Sequence, residues 1–287
     1  MAADSLREKA RAFSRRDAWK AGRLFFEGEA GRDPDSATAH ACLGFFCLKE
    51  TRYDVKRALA ELFQALRLDP DCALAHVYLA IASACLRDAG ASRKAVDAAR
   101  RCGARPEDLV MAEAYVELDT GSLSAAIESF RSLVELERDS TSMILLSQAL
   151  SQSGENGEAL DWALKACAAD PEDFRAPAYA GVYLAYLGRF EEARRELAKS
   201  AAMGTDYPLL HHTLAFVARE EGETAAAERH LRAALAVDPD YAASRTRLAD
   251  LCAASGRRAE AKEHYRRALE LFPDYPEARK ALDALDI

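Results

Sequence analysis

Six histidines, seven cysteines and 47 acidic side chains are the groups of this 287-residue chain that chemistry would draw on. His211 and His212 form the one adjacent histidine pair. Imidazole is a common metal ligand, yet no acidic or cysteine residue lies at a helical ligand spacing to complete a site with this pair. The cysteines (Cys42, Cys47, Cys72, Cys85, Cys102, Cys167 and Cys252) are odd in number and scattered, with no C-x-x-C pair. That spacing offers neither a zinc ribbon nor a dithiol redox motif. Most sit among Ala and Leu at helical spacing, where a free thiol acts as a small apolar filler and fits a reducing compartment. His40 and His76 end two nearly identical stretches, residues 33–40 and 69–76, so a repeated structural role is expected of them. No phosphate-binding loop, dinucleotide fingerprint or nucleophile elbow is present. Glu191-Glu192 and Glu220-Glu221 stand beside turn signals and read as solvated faces rather than acid–base pairs. The expectation is therefore no catalytic residue, no metal site, no cofactor and no enzyme activity.

The balance of charge narrows the partners. A formal charge of −8 disfavours nucleic acid. The charge is uneven: residues 105–173 carry 15 acidic and 4 basic side chains. A solvated helix exterior or a local acidic surface accounts for that excess. No apolar run approaches the ~18 residues that would suggest a membrane span, so no membrane insertion is expected. The first ten residues lack the apolar core of a secretion signal, which argues for a cytoplasmic protein. Abundant Ala and Arg suggest a bacterial source with a GC-rich genome.

The elements that must position these side chains announce themselves as a repeat. Gly121, Gly154, Gly188, Gly222 and Gly256 are spaced by 33, 34, 34 and 34 residues. An alanine follows each by five residues (Ala126, Ala159, Ala193, Ala227, Ala261), and a small residue precedes each by seven (Ala114, Ser147, Gly181, Ala215, Ala249). Pro70, Pro171, Pro239 and Pro273 close several units. Glycine permits the left-handed turn that ends a first helix, the small residues allow close helix approach, and proline stops the second helix. Between them apolar residues recur at three and four, as in Leu248, Ala249 and Cys252, then Ala261, Tyr265, Ala268 and Leu269. That is the signature of amphipathic helix pairs, not strands.

At this level of detail the chain resembles the tetratricopeptide repeat family. Residues 242–275 match its 34-residue pattern through Leu248, Ala249, Gly256, Ala261, Tyr265, Ala268 and Pro273. Residues 208–241 match through Leu214, Ala215, Gly222, Ala227, Leu231, Ala234 and Pro239. Residues 140–173 and 174–207 keep the small residues but carry Ala163 and Leu197 where the family has an aromatic. Residues 37–72, 73–106 and 107–139 are looser, with two extra residues around Thr51 to Tyr53 and a longer turn near Asp88 to Ser92. Residues 3–36 read as an atypical N-terminal pair, with Asp4 and Ser5 as cap candidates. Residues 276–287 read as a capping helix begun by Pro276. The resemblance implies an all-α fold, a right-handed superhelical solenoid of antiparallel helix pairs. It would be a single array over residues 1–287, with about seven repeats between the N-terminal pair and the cap.

In such arrays, the resemblance implies, the first helices line a concave groove. The ninth position of each unit reads Phe45, Ile81, Tyr115, Gln148, Val182, Phe216 and Asp250. Neighbouring groove positions add Leu48, Ile144, Tyr186 and His212. The expected binding stripe is thus Phe45, Leu48, Ile81, Tyr115, Ile144, Gln148, Val182, Tyr186, His212 and Phe216. The fifth position carries no lysine, which speaks against the carboxylate clamp of some family members. An apolar groove suits an amphipathic helix or an apolar peptide. The expected function is a non-catalytic scaffold or adaptor for a protein or peptide partner. Alternatives are a peptide-sensing module controlling an enzyme or transcription factor, a self-associating structural protein, or a helical-repeat enzyme.

Overall fold

The structure is a computed structural model and describes residues 3–14, 19–50, 55–203, 207–271 and 275–286. The turn expected around Thr51 to Tyr53, and Pro273, lie outside the described residues. Among the described residues there are seventeen α-helices and no strand. None of these helices is long and apolar enough to cross a membrane.

The helices fall into two compact units, Met1–Asp173 and Phe174–Ile287. The first holds α1 (Ala3–Ser14), α2 (Trp19–Arg32), α3 (Ala37–Glu50), α4 (Val55–Leu68), α5 (Ala73–Cys85), α6 (Ala89–Arg101), α7 (Pro106–Asp119), α8 (Leu123–Glu137), α9 (Ser140–Gln152) and α10 (Asn156–Ala169). The second holds α11 (Arg175–Tyr186), α12 (Phe190–Ala202), α13 (Pro208–Glu220), α14 (Thr224–Val237), α15 (Ala242–Ala254), α16 (Arg258–Leu271) and α17 (Pro276–Asp286). From α3 to α16 each odd-numbered helix packs closely on the helix that follows it. Within the first unit α3 also touches α5, and α5 touches α7; within the second α11 touches α13. The last helix, α17, lies on α16, with Ala278 buried and Ala281, Leu282 and Leu285 packed alongside. Asp4 and Ser5 sit inside the first turn of α1 rather than ahead of it. They therefore do not cap it, although the Asp4 carboxylate still suits the positive end of the helix.

The repeat chemistry explains each hairpin. All five periodic glycines have positive φ, from +73° at Gly188 to +90° at Gly154. At Gly188 the next amide, that of Arg189, reaches back to the Leu184 carbonyl at 2.9 Å and closes the helix end. The chain then reverses, and the small residue seven positions upstream meets the second helix. A β-carbon on Gly181 would lie 2.7 Å from Leu197 Cγ and 3.2 Å from the Ala193 carbonyl oxygen. Gly44 stands in the same relation to Leu62 and Ala58 in the first unit.

The Asp-Pro turns have their own logic. The side chains of Asp69, Asp170 and Asp238 each accept the amide two residues on, at 3.0, 3.1 and 2.9 Å. The intervening proline has no amide to satisfy. His40 and His76 then tie the next helix to the turn, each with Nε2 near the carbonyl oxygen of the proline six residues back, at 3.2 and 3.0 Å. Arg245 bonds the Pro239 carbonyl in the same way. The repeated histidines are structural, as their repetition implies.

Gly181→Val should cost about 1–3 kcal/mol, because neither the Ala193 backbone nor the buried Leu197 can yield freely. Gly28→Ala, at an exposed helical position with nothing within 4 Å, should instead gain up to about 1 kcal/mol. Urea titrations followed by circular dichroism measure both. A Gly181→Val protein as stable as the parent would refute the close-contact account.

Candidate functional site

The ten expected groove residues divide by burial. In the first unit Phe45 and Leu48 on α3, Ile81 on α5 and Ile144 on α9 are buried. Phe45 stacks on Tyr78 with ring centroids 4.4 Å apart. Tyr115 on α7 and Gln148 on α9 are half-buried. The Lys49 ammonium donates to the Tyr115 hydroxyl at 3.0 Å and lies 4.6 Å from that ring's centre. In the second unit Val182 is buried, His212 and Phe216 are half-buried, and Tyr186 is 53% exposed.

The second unit brings its four expected residues together. Val182, Tyr186, His212 and Phe216 all line one pocket of about 720 Å³, open mouth included. Three first helices, α11, α13 and α15, supply most of its wall, and Ala227 and Leu231 of α14 complete it. The wall is mainly apolar and aromatic. Tyr186 and Phe216 meet edge to face at 5.6 Å. His212 packs edge-on against Tyr241, and its Nδ1 lies 2.9 Å from the buried Ser244 hydroxyl.

The sequence reading missed the polar part of this pocket. Arg219, Arg247 and Asp250 also line it. The Arg219 guanidinium lies 5.3 Å from the centre of the Phe216 ring, so that ring's face carries a cation. Arg247 faces Asp250 at 3.6 Å, and Asp250 also accepts the Tyr265 hydroxyl at 2.5 Å. Both arginines stand on first helices, Arg219 three residues after the groove position Phe216 and Arg247 three before the groove position Asp250. That spacing is one turn of helix and is the signal that reveals them. Burial first, and then the fields of Arg247 and Arg219, push His212 down to a pKa of about 4. The imidazole is therefore neutral at physiological pH, a hydrogen-bonding wall and not a third cation.

A second cluster also escaped the sequence reading, which expected no metal ligands. Cys252 of α15 meets Glu260 and His264 of α16 with their donor atoms within 4.8 Å of one another. The helix hairpin, not spacing along one helix, makes this meeting. Glu260 is already claimed by Arg232 at 2.6 Å and Arg257 at 3.2 Å. These guanidiniums also clamp Glu228, whose pKa falls to about 2 through its bonds to Arg257 and Arg232. Burial meanwhile pushes the Cys252 thiol up. The cluster is the edge of an arginine–glutamate lattice joining α14 to α16.

The described helices thus define an all-α protein of stacked antiparallel helix pairs. Two family models, both described as tetratricopeptide repeat, match residues 111–174 and 218–285. Residues 111–174 and 218–285 thus carry tetratricopeptide repeats, a repeat whose proteins are in general non-catalytic protein-interaction scaffolds. Among solved structures it is similar to a chain of the APC/C hetero-tetramer Cut9-Hcn1 (TM-score 0.67, 16% identity, 92% of this chain and 52% of that one). This chain therefore spans about half the length of that relative. It is also similar to a tetratricopeptide repeat protein from Parabacteroides merdae (TM-score 0.63, 15% identity, 82% and 94%). A third likeness is to a thermophilic tetratricopeptide repeat protein in Thermus thermophilus (TM-score 0.55, 24% identity, 62% and 98%). At these identities the likenesses establish the fold. Comparison with curated proteins gives no match.

The depressed His212 pKa has a definite sign. Between pH 6.5 and 4 an unfolded chain takes up a proton at His212 that the folded chain refuses, so stability falls as pH falls through that window. His212→Gln should remove roughly 1–2 kcal/mol of the loss between pH 7 and pH 5. Urea midpoints of the two proteins at both pH values measure this. Identical losses would show that His212 is solvated.

Proposed function

We propose that this protein is a binding scaffold whose pocket on α11, α13 and α15 captures a peptide segment. The ligand would carry an aromatic or aliphatic side chain next to a carboxylate. The observation that carries the reading is the pairing, in one pocket, of the Tyr186–Phe216 wall with the guanidiniums of Arg219 and Arg247. An apolar side chain inserted beside Phe216 would be desolvated, while a carboxylate at the rim would meet Arg247, whose pairing with Asp250 is long at 3.6 Å; Arg219 already donates to Glu220 at 2.7 Å and would have to share its guanidinium. The neutral His212 adds a hydrogen-bonding group without competing for the anion. On this reading Val182, Tyr186, His212 and Phe216 are the contacting members of the stripe, and Tyr115 and Gln148 are accessible members in the first unit. Phe45, Leu48, Ile81 and Ile144 act by holding the first helices in place. The register of seven repeats from residue 37 to residue 275 belongs to the same proposal, as does residence in a reducing cytoplasm, which suits seven free thiols.

Selection of random peptides on the immobilised protein should enrich sequences that combine an apolar anchor with Asp, Glu or a free C-terminus. Phe216→Asp should weaken those binders by at least about 2 kcal/mol, roughly 30-fold, with unchanged helicity by circular dichroism. Arg247→Glu should weaken only the acidic binders. Peptides that bind both variants as well as the parent would place recognition elsewhere.

A further inference from the structure

Cys252 and Glu260 stand four residues before and four residues after Gly256, whose φ of +76° reverses the chain between α15 and α16. The reversal folds the thiol towards the carboxylate. His264 follows Glu260 by one helical turn and so shares its face of α16. The donor atoms of all three lie within 4.8 Å of one another. The thiol is fully buried, and the imidazole is only 15% exposed.

Two observations mark this meeting as more than packing. The first is the condition of His264. Its Nδ1 is buried with no hydrogen-bond partner, and its Nε2 lies 3.8 Å from Glu260 Oε1, beyond hydrogen-bond reach. A buried polar ring without a partner is costly, and a cation at Nε2 would supply one. The second is the sequence of the neighbouring units. At the three equivalent positions the preceding unit carries Ala218, Ala226 and His230, and the unit before it Leu184, Glu192 and Glu196. Ala218 and Leu184 are buried just as Cys252 is, so the hairpin closes without a thiol. The repeat therefore does not impose the triad.

The donor set names the ligand. Thiolate, imidazole and carboxylate together suit zinc, whereas calcium and magnesium take oxygen donors. Zinc bonds of about 2.0–2.3 Å in a tetrahedral shell set neighbouring donors roughly 3.5 Å apart. Side-chain rotation in a cluster already this tight can supply the difference. The adjacent arginines leave the carboxylate available. Glu260 Oε1 accepts from Arg232 at 2.6 Å, and Oε2 accepts from Arg257 at 3.2 Å. Both guanidiniums also hold Glu228, Arg232 at 2.8 Å and Arg257 through bonds of 2.8 and 2.7 Å. With Oε1 turned to a cation, Arg232 keeps Glu228. Arg257 then stays on Oε2 as the outer partner that orients a ligating carboxylate.

We propose that Cys252, Glu260 and His264 form a zinc site that staples α15 to α16, with water as the fourth ligand. Binding releases the thiol proton to solvent, as coordination by cysteine requires. None of the three residues lines the pocket on α11, α13 and α15, so the site is independent of peptide capture.

The test titrates the untagged full chain, stripped with chelator and kept reduced, with cobalt(II) at neutral pH. Cobalt stands in for zinc and reports a cysteine ligand by thiolate-to-metal charge-transfer absorption in the near ultraviolet. The parent should bind one equivalent, and added zinc should displace it and erase the absorption. Cys252→Ala should abolish the charge-transfer band, and His264→Gln should weaken binding at least about tenfold. Zinc should also raise the thermal midpoint of the parent and leave that of Cys252→Ala unchanged. The proposal is overturned by a parent that shows no charge-transfer band in excess cobalt. A band or a zinc-induced rise that persists in Cys252→Ala also overturns it and places the metal on other cysteines. Should Cys252→Ala fail to fold, His264→Gln decides alone: cobalt binding as tight as the parent's refutes the site.

Discussion

Two helix backbones must approach closely within every hairpin, and the rest of this structure follows from that contact. Gly44 and Gly181 mark such close approaches, and Ala114, Ser147, Ala215 and Ala249, seven residues before their turn glycines as Gly181 is, are buried like them. At Gly181 even one added carbon would overlap Leu197, so the spacing of the pair is set by the absence of a side chain. Seven residues after Gly181, Gly188 at a φ of +73° ends the helix and reverses the chain. With spacing and turn fixed, the opposite face of each first helix has only one direction in which to point. Phe216 and Arg219 share a pocket as neighbours one turn apart on α13, with the guanidinium over the ring.

The fold was legible because the repeat writes the same local chemistry many times. Each glycine, alanine or Asp-Pro turn is a weak signal alone, and recurrence at one period turns it into a strong one. The site was legible only in part. A helix turns by about 100° per residue, so a position read as facing the groove can be rotated into the core by a modest tilt. Phe45 and Phe216 hold the same repeat position, yet Phe45 is covered by Tyr78 while Phe216 stays half-open. Arg219 and Arg247 carry no sequence signal of their own, because a charged residue on a helix is ordinarily solvated. Only the position of Phe216, one turn away, marks Arg219 as part of a pocket. Cys252, Glu260 and His264 meet through a hairpin, which spacing rules within one helix do not see.

The pocket on α11, α13 and α15 and the surface beneath α1 differ in charge. The pocket on α11, α13 and α15 has two guanidiniums and the Asp250 carboxylate in its wall, whereas the surface beneath α1 offers carboxylates of α7 and α8 that Arg7 and Arg11 already pair. A chain of net charge −8 hides this contrast, since neither surface resembles the average.

The ion pairs beneath α1 also say which contacts hold it and which orient it. Burying the Arg7 guanidinium against Asp108 removes two charges from water, a cost that their attraction does little more than offset. The favourable surplus must therefore come from the apolar face of Leu6, Ala10 and Phe13. That face alone is nearly featureless and would tolerate a slip along the groove. The carboxylates of Glu107, Asp108 and Glu137 remove that freedom, because a shift of one helical turn would leave Arg7 and Arg11 without their partners and a buried carboxylate unpaired. Hydrophobic burial thus supplies the affinity of α1, and charge supplies its register.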